Sequence, residues 1–227
     1  MQGKTVVITG GTSGIGEIAT QRLAQMGARI VLIARSKARG RVALARLNER
    51  SRDLAHTVHY ADLTRISEMK RVAAEIASQE PRIDVLINNA GAIFASRRLT
   101  EDGLECTFAL NHMAYFVVTD RLRETLLASA PARIINTASA AHKGARLDFD
   151  DLQLAKGFGP MKAYGNRARY PATCQFGTFP TRRKGQSGRG VGSPRAVALR
   201  IKIITLFVWG FAIYWLVMFV TGILVLR

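Results

Sequence analysis

The stretch TVVITGGTSGIGEIATQRLAQMGARIVLIAR, Thr5 to Arg35, restricts the fold more than any other part of the chain. A β-branched apolar run ends at glycines, and apolar residues then recur at helical spacing, at Ile15, Ile18, Ala19, Leu23 and Met26. Gly27 is placed to cap that helix, and ARIVLIAR follows as a second buried strand. Strand, helix and strand in so few residues form a βαβ unit, which requires a parallel sheet and a right-handed crossover.

The alternation continues with a charged helix near Ala38 to Asp53, a short strand in HTVHYADL and a helix from Ser67 to Ser78. The strand IDVLINNAG, a longer helix over Leu104 to Leu127 and a fifth strand, ARIINTAS, complete the pattern. The expected fold class is α/β, a doubly wound parallel sheet of the Rossmann type. It is expected to be truncated at its C-terminal side, because the alternation stops after Asn166.

Composition changes at the same place. The formal net charge is +17, yet all 16 acidic residues precede Asn166. The N-terminal part therefore reads as a mixed soluble surface, and the rest as an unlike, purely basic piece. Gly165 to Arg195 carries six glycines and three prolines among scattered arginines, the composition of a linker. Ile203 to Leu226 then runs 24 residues without a formal charge. As a helix it would be about 36 Å long, enough for a bilayer core of roughly 30 Å.

Three parts are expected: a dinucleotide-binding domain over 1–166, a basic linker over 167–200, and a transmembrane helix over 201–227. Arg195, Arg200 and Lys202 precede the apolar run and only Arg227 follows it, so a single-pass C-terminal anchor would leave the N-terminal domain cytoplasmic. The N-terminus enters a strand directly, without the pattern of a secretory signal. Cys106 and Cys174 have neither disulfide nor metal-ligand spacing, so no metal site is expected. The Arg/Gly-rich stretch alone does not make nucleic acid the expected partner.

The chemistry gathers at strand ends. In TGGTSGIG, Gly10 would permit a tight turn, Gly14 would let backbone approach a pyrophosphate, and Gly16 would let the helix pack against the strand. The helix N-terminus offers unpaired N–H groups and partial positive charge to phosphates, so Thr12, Ser13 and Ile15 join the candidate cofactor site. At the end of the second strand, where an acid would accept the ribose hydroxyl of NAD, stand Ala34 and Arg35. A cation there suits the extra phosphate of NADP, so NADP(H) is expected over NAD(H).

These residues, with ADL at Ala61 to Leu63, NNAG at Asn88 to Gly91, NHMAYF at Asn111 to Phe116 and IINTASAAH leading to Tyr164, resemble the classical short-chain dehydrogenases/reductases. AHKGARLDFDDLQ is similar to the branch that contains the retinol dehydrogenases. The resemblance covers residues 4 to about 166. It implies that Asp62, with Leu63, lies near the adenine, and that Asn89, Ala90 and Gly91 line the cofactor cleft. It further implies that Asn111 binds a water in a proton relay, that Ser139 hydrogen-bonds the substrate oxygen, and that Tyr164 is the general acid/base. The implied reaction moves hydride between the nicotinamide and an apolar alcohol or carbonyl compound, retinol-like or lipid-derived.

One position departs from that pattern. A phenol is a poor base at neutral pH unless a fixed cation favours phenolate, and a lysine one helical turn beyond the tyrosine would do so. Here that position is Ala168. Arg167 could reach the same face, but a guanidinium does not exchange protons. The sixth and seventh strands of the family pattern have no counterpart in the sequence, which would leave the fifth strand as a hydrophobic edge. The abrupt loss of pattern resembles a reading-frame change or a fusion. The alternative expectation is therefore a catalytically inactive, membrane-associated relative that retains at most nucleotide binding.

Overall fold

The computed structural model describes residues 1–51, 53–173 and 200–205. Strands β1 (Thr5–Thr9), β2 (Arg29–Ala34), β3 (Thr57–Tyr60), β4 (Val85–Asn88), β5 (Arg133–Ala138) and β6 (Arg200–Thr205) form one sheet in the order β3-β2-β1-β4-β5-β6. Every neighbouring pair is parallel. Helices α1 (Gly14–Gln25), α2 (Lys37–Arg50) and α3 (Ile66–Gln79) are the crossovers of the first half. The strand order reverses at β1, so the crevice beyond the C-terminal ends of β1 and β4 is where a ligand of this architecture sits.

The strands read as continuous apolar runs because both faces are covered. Val7, Val31, Ile33, Leu86 and Ile134 pack with Met69, Val72 and Ile76 of α3 and with Val118 and Leu122. Val6, Ile8, Ile30 and Leu32 point the other way, into Ala24, Ala43 and Leu47 of α1 and α2. A strand places alternate side chains on opposite faces, and the two clusters are the two halves of that alternation.

The expected long helix over Leu104 to Leu127 is broken into several elements. A short α4 (Cys106–Phe108) passes into a five-residue π-helical turn, Ala109–Met113, and then into α5 (Ala114–Arg121) and α6 (Arg123–Ala128). A π turn inserts one residue into the helical repeat, often at functional sites, and this one carries Asn111. Ser139 opens a 3₁₀ turn, Ala140–Gly144, and α7 (Pro160–Thr173) carries Tyr164.

Two expectations for the C-terminal part change. α7 continues to Thr173, beyond the start of the expected linker at residue 167. Gly165 does not break it because its missing side chain allows close packing: a Cβ there would lie 3.0 Å from the Ala141 carbonyl oxygen. β5 is not an exposed edge either. β6 covers it in register from Arg133 opposite Arg200 to Ala138 opposite Thr205. The strand sequence RIKIIT is rich in β-branched residues, and the bare donors and acceptors of β5 give it a partner. The first residues of the expected membrane span, Ile203 to Thr205, thus belong to a strand, and its remainder lies outside the described residues. Among the described residues no helix is long and apolar enough to cross a membrane.

Asp84, just before β4, fastens the N-terminal ends of the central strands. Its buried carboxylate accepts from Lys4 Nζ at 2.9 Å, from Thr5 N at 3.0 Å and from Arg82 Nη2 at 2.7 Å. Desolvation raises its pKa, but the bonds from Arg82, Thr5 and Lys4 outweigh that and hold it at about 2, below the ordinary 3.8. A carboxylate depressed in the fold stabilises above its unfolded pKa, and that contribution is lost as pH falls from 3.8 to about 2. Asp84→Asn is expected to cost about 1–3 kcal/mol at neutral pH, measured by urea unfolding, with the gap to the parent chain closing near pH 2.

Candidate functional site

The glycine turn after β1 has the geometry that the sequence requires of it. Gly10 sits at φ +69, and a Cβ there would meet the Ala90 Cα at 2.8 Å. A Cβ on Gly16 would collide with the Gly10 carbonyl oxygen and the Asn89 side-chain amide, so α1 approaches β1 as closely as backbone allows. Gly14 differs, with φ +55 and no protein atom within 4 Å of where a Cβ would be. It faces open space, the side from which a ligand would arrive.

Ser13 is the N-cap of α1, but its side chain makes no capping hydrogen bond. The first N–H groups of that helix are therefore not claimed by the usual hydroxyl acceptor and can face an anion. Ser13, Gly14 and Ile15 are exposed and Thr12 is half-buried around this opening. Arg35 is exposed at the end of β2, with Ser36 capping α2 by accepting from Arg39 N at 3.3 Å. Asp62, after β3, bends the chain by accepting from Thr64 N at 3.0 Å and Thr64 Oγ1 at 2.8 Å, and Leu63 is buried.

Asn89 is the junction of the site. Its Nδ2 donates to the carbonyls of Thr9 at 3.3 Å and Gly10 at 3.2 Å, and its Oδ1 accepts from Thr137 Oγ1 at 3.2 Å. Thr9 Oγ1 in turn accepts from Asn89 N and Ala90 N, both at 2.9 Å. Asn88, fully buried, donates from Nδ2 to Asn136 Oδ1 at 2.9 Å and Thr119 Oγ1 at 3.0 Å. Thr9, Thr119, Asn136 and Thr137 were not singled out in the sequence. For Thr9, Asn136 and Thr137 the signal is a polar side chain at the C-terminal end of an otherwise apolar strand, whereas Thr119 lies within α5 and carries no such signal.

The π turn aims Asn111 back at this junction. Asn111 Oδ1 accepts from Ala92 N and its Nδ2 donates to Ala92 O, each at 3.0 Å. Gly91 faces the same amide, since a Cβ there would be 3.5 Å from Asn111 Oδ1. The side chain of Asn111 is thus engaged by the strand-end loop.

Ser139 caps the 3₁₀ turn, its Oγ accepting from Ala141 N at 3.3 Å, and His142 Nδ1 lies 2.6 Å from the Ser139 carbonyl oxygen. Gly165 packs α7 onto that turn, which sets half-buried Tyr164 beside it. Burial, and Tyr164 beside it, hold the phenol of Tyr115 on α5 above the usual tyrosine range. Lys162 is exposed and donates to the Gly157 carbonyl at 3.2 Å.

Arg167 does not take the place of a lysine. Only 1% exposed, it stacks over the Phe108 ring at 4.4 Å, donates to the Leu152 carbonyl and lies 3.9 Å from Glu105 Oε2. His112, stacked on Phe108 with centroids 5.2 Å apart, is pushed down to about 4 by burial and by the Arg167 charge. Among the described residues no group of His, Cys, Asp and Glu could hold a metal ion.

Gly14 and Gly16 separate ligand binding from packing. Gly16→Ala is expected to destabilise the fold by about 1–3 kcal/mol, because the added methyl meets backbone and a buried amide. Gly14→Ala adds only the strain of a positive φ, about 1 kcal/mol, while putting a methyl in the opening. Thermal unfolding with NADPH titration should show Gly16→Ala losing stability first, and Gly14→Ala losing nucleotide affinity with the melt nearly unchanged.

The sequence matches the short chain dehydrogenase family over residues 4–147. It is 41% identical over 170 residues to human Retinol dehydrogenase 13, covering 74% of this chain and 49% of that protein. With human Retinol dehydrogenase 14 it shares 34% identity over 177 residues, 72% of this chain and 53% of that one. The chain spans about half the length of these curated relatives. The fold is similar to that of the Pseudomonas aeruginosa RhlG/NADP active-site complex, with a TM-score of 0.60 and 28% identity over 74% of this chain and 63% of the other. A parallel sheet that reverses at β1, a glycine turn closed on an Asn-Asn-Ala-Gly strand end, and this match across most of the described domain place the chain in the short-chain dehydrogenase family, with retinol dehydrogenase-like relatives.

Proposed function

We propose that the chain binds NADP(H) at the Gly10–Gly16 turn and acts as an oxidoreductase on an apolar alcohol or carbonyl compound, retinol-like or lipid-derived. The observation that carries this reading is the open approach at Gly14, beside an α1 N-terminus whose cap leaves it uncovered. In this reading Gly10, Thr12, Ser13, Gly14, Ile15 and Gly16 hold the pyrophosphate, and Asp62 and Leu63 flank the adenine. Asn89, Ala90 and Gly91 line the nicotinamide end. Exposed Arg35 meets the 2′-phosphate, which favours NADP(H) over NAD(H).

When bound, the nicotinamide supplies or accepts the hydride. The chain's own part is proton handling and orientation. Ser139 Oγ donates to the substrate oxygen and Tyr164 Oη exchanges its proton. The Asn111 turn fixes the loop above β4 through Ala92. The apolar run that follows β6, from Leu206 to Leu226, associates the protein with a membrane as a single-pass anchor, leaving the N-terminal domain on the cytoplasmic side. A lipid-soluble substrate suits that location.

A second reading is supported by α7. Ala168 stands one turn after Tyr164, and Arg167 is held by Glu105, Phe108 and Leu152. With alanine in place of an ammonium at that helical position, α7 gives proton transfer at Tyr164 no such assistance and turnover is slow or absent. NADPH binding, and NADPH oxidation with a panel of apolar aldehydes, distinguish the readings. The enzyme reading expects saturable binding tighter than that of NADH, with turnover. Binding without turnover establishes the second reading, and failure to bind either nucleotide refutes both.

A further inference from the structure

The buried guanidinium on α7 has a use that the proton chemistry leaves unassigned. Glu105, with no exposure at all, caps the first turn of α4: Oε1 accepts from Thr107 N at 2.7 Å and Thr107 Oγ1 at 2.8 Å, and Oε2 accepts from Phe108 N at 2.9 Å. The main-chain N–H of Glu105 donates to Gln153 Oε1 at 2.6 Å. Arg167 reaches this carboxylate from α7, sits over the ring of Phe108 in the same cap, and donates to the carbonyl of Leu152, the neighbour of Gln153. Three separate pieces of chain, residues 105–108, 152–153 and α7, converge on one guanidinium.

Both ends of that clamp lead into the site. Arg167 is three residues beyond Tyr164 on the same helix. The capped turn runs directly into the π turn, whose Asn111 holds Ala92 and faces Gly91. An ammonium could satisfy the charge of Glu105, but not the stacking on Phe108 together with a planar fork.

We propose that Arg167 is a positioning residue, a buried clamp that sets the Tyr164 helix against the Asn111 turn and, through Ala92, fixes the loop at the nicotinamide end of the cleft. The role assigned to that loop rests on the dinucleotide reading above. The clamp itself rests on Glu105, Phe108 and Leu152. A chain that lacks the lysine after Tyr164 therefore uses the adjacent position to hold the helix.

The test is hydrogen–deuterium exchange on the full chain, with NADPH titration well below the melting temperature, for Arg167→Met, Arg167→Lys, Glu105→Gln and the Met/Gln double variant. Arg167→Met is expected to speed exchange in peptides covering 88–92, 105–113 and 160–167, and to weaken NADPH binding about tenfold, with peptides of β2 and α2 unchanged. Arg167→Lys should recover part of both effects, and the double variant should be no worse than Arg167→Met alone, the signature of one coupled unit. A general loss of stability would leave the low-temperature NADPH affinity unchanged, and that result overturns the proposal. Independent, additive effects of the Arg167 and Glu105 substitutions overturn it too. If Arg167→Met does not fold, Arg167→Lys and Glu105→Gln carry the same comparison. If the parent chain binds no NADPH, the dinucleotide reading falls, and the exchange pattern alone still decides the clamp.

Discussion

The amide of Asn89 holds together the ends of three strands. It donates to the carbonyls of Thr9 and Gly10 and accepts from Thr137, so β1, β4 and β5 finish at a common point. Parallel strands need such an arrangement because their last carbonyls leave the ladder just where the chain turns away into helices. The same amide is what a side chain on Gly16 would strike. Close approach of α1, the tight turn at Gly10 and closure of the strand ends are thus one packing solution.

Much of this was legible in the sequence. The βαβ unit, the five N-terminal strands and the glycine turn follow from period and punctuation, because fully buried parallel strands write themselves as β-branched runs ending in glycine. The structure leaves Gly14 open, packs Gly16 against backbone and turns Asn111 onto Ala92, just after the Asn89–Gly91 loop. The π turn was not legible: LECTFALNHM has ordinary helical spacing, and the contact that the turn makes possible, Asn111 with Ala92, is remote in sequence. The cap by Glu105 was equally hidden, since its partners in Gln153 and Arg167 are remote in sequence.

The C-terminal part shows how composition can mislead. Gly165 and the proline at 171 read as breakers, yet α7 runs through both, because Gly165 is needed for contact with the Ser139 turn. Arg200 to Thr205 read as the approach to a membrane, yet β-branched residues beside an uncovered strand serve a sheet equally well. Local preference states what a segment can do, and the available partner selects among the choices. Arg167 illustrates the same rule for charge, since a cation counted as part of a basic tail is fully enclosed by an aromatic ring, a carboxylate and a carbonyl.

The direction of β6 has a geometric consequence. It runs parallel to β5 with Thr205 opposite Ala138, the residue that precedes Ser139. The chain therefore leaves the sheet about one strand spacing, some 4.8 Å, from the segment that carries Ser139. The apolar sequence from Leu206 onward is tethered at the C-terminal rim of the sheet, the rim that bears Asn89 and Ser139, and not at the opposite rim where β1 begins. Whatever surface that sequence contacts, its point of attachment is the strand end beside the Ser139 turn.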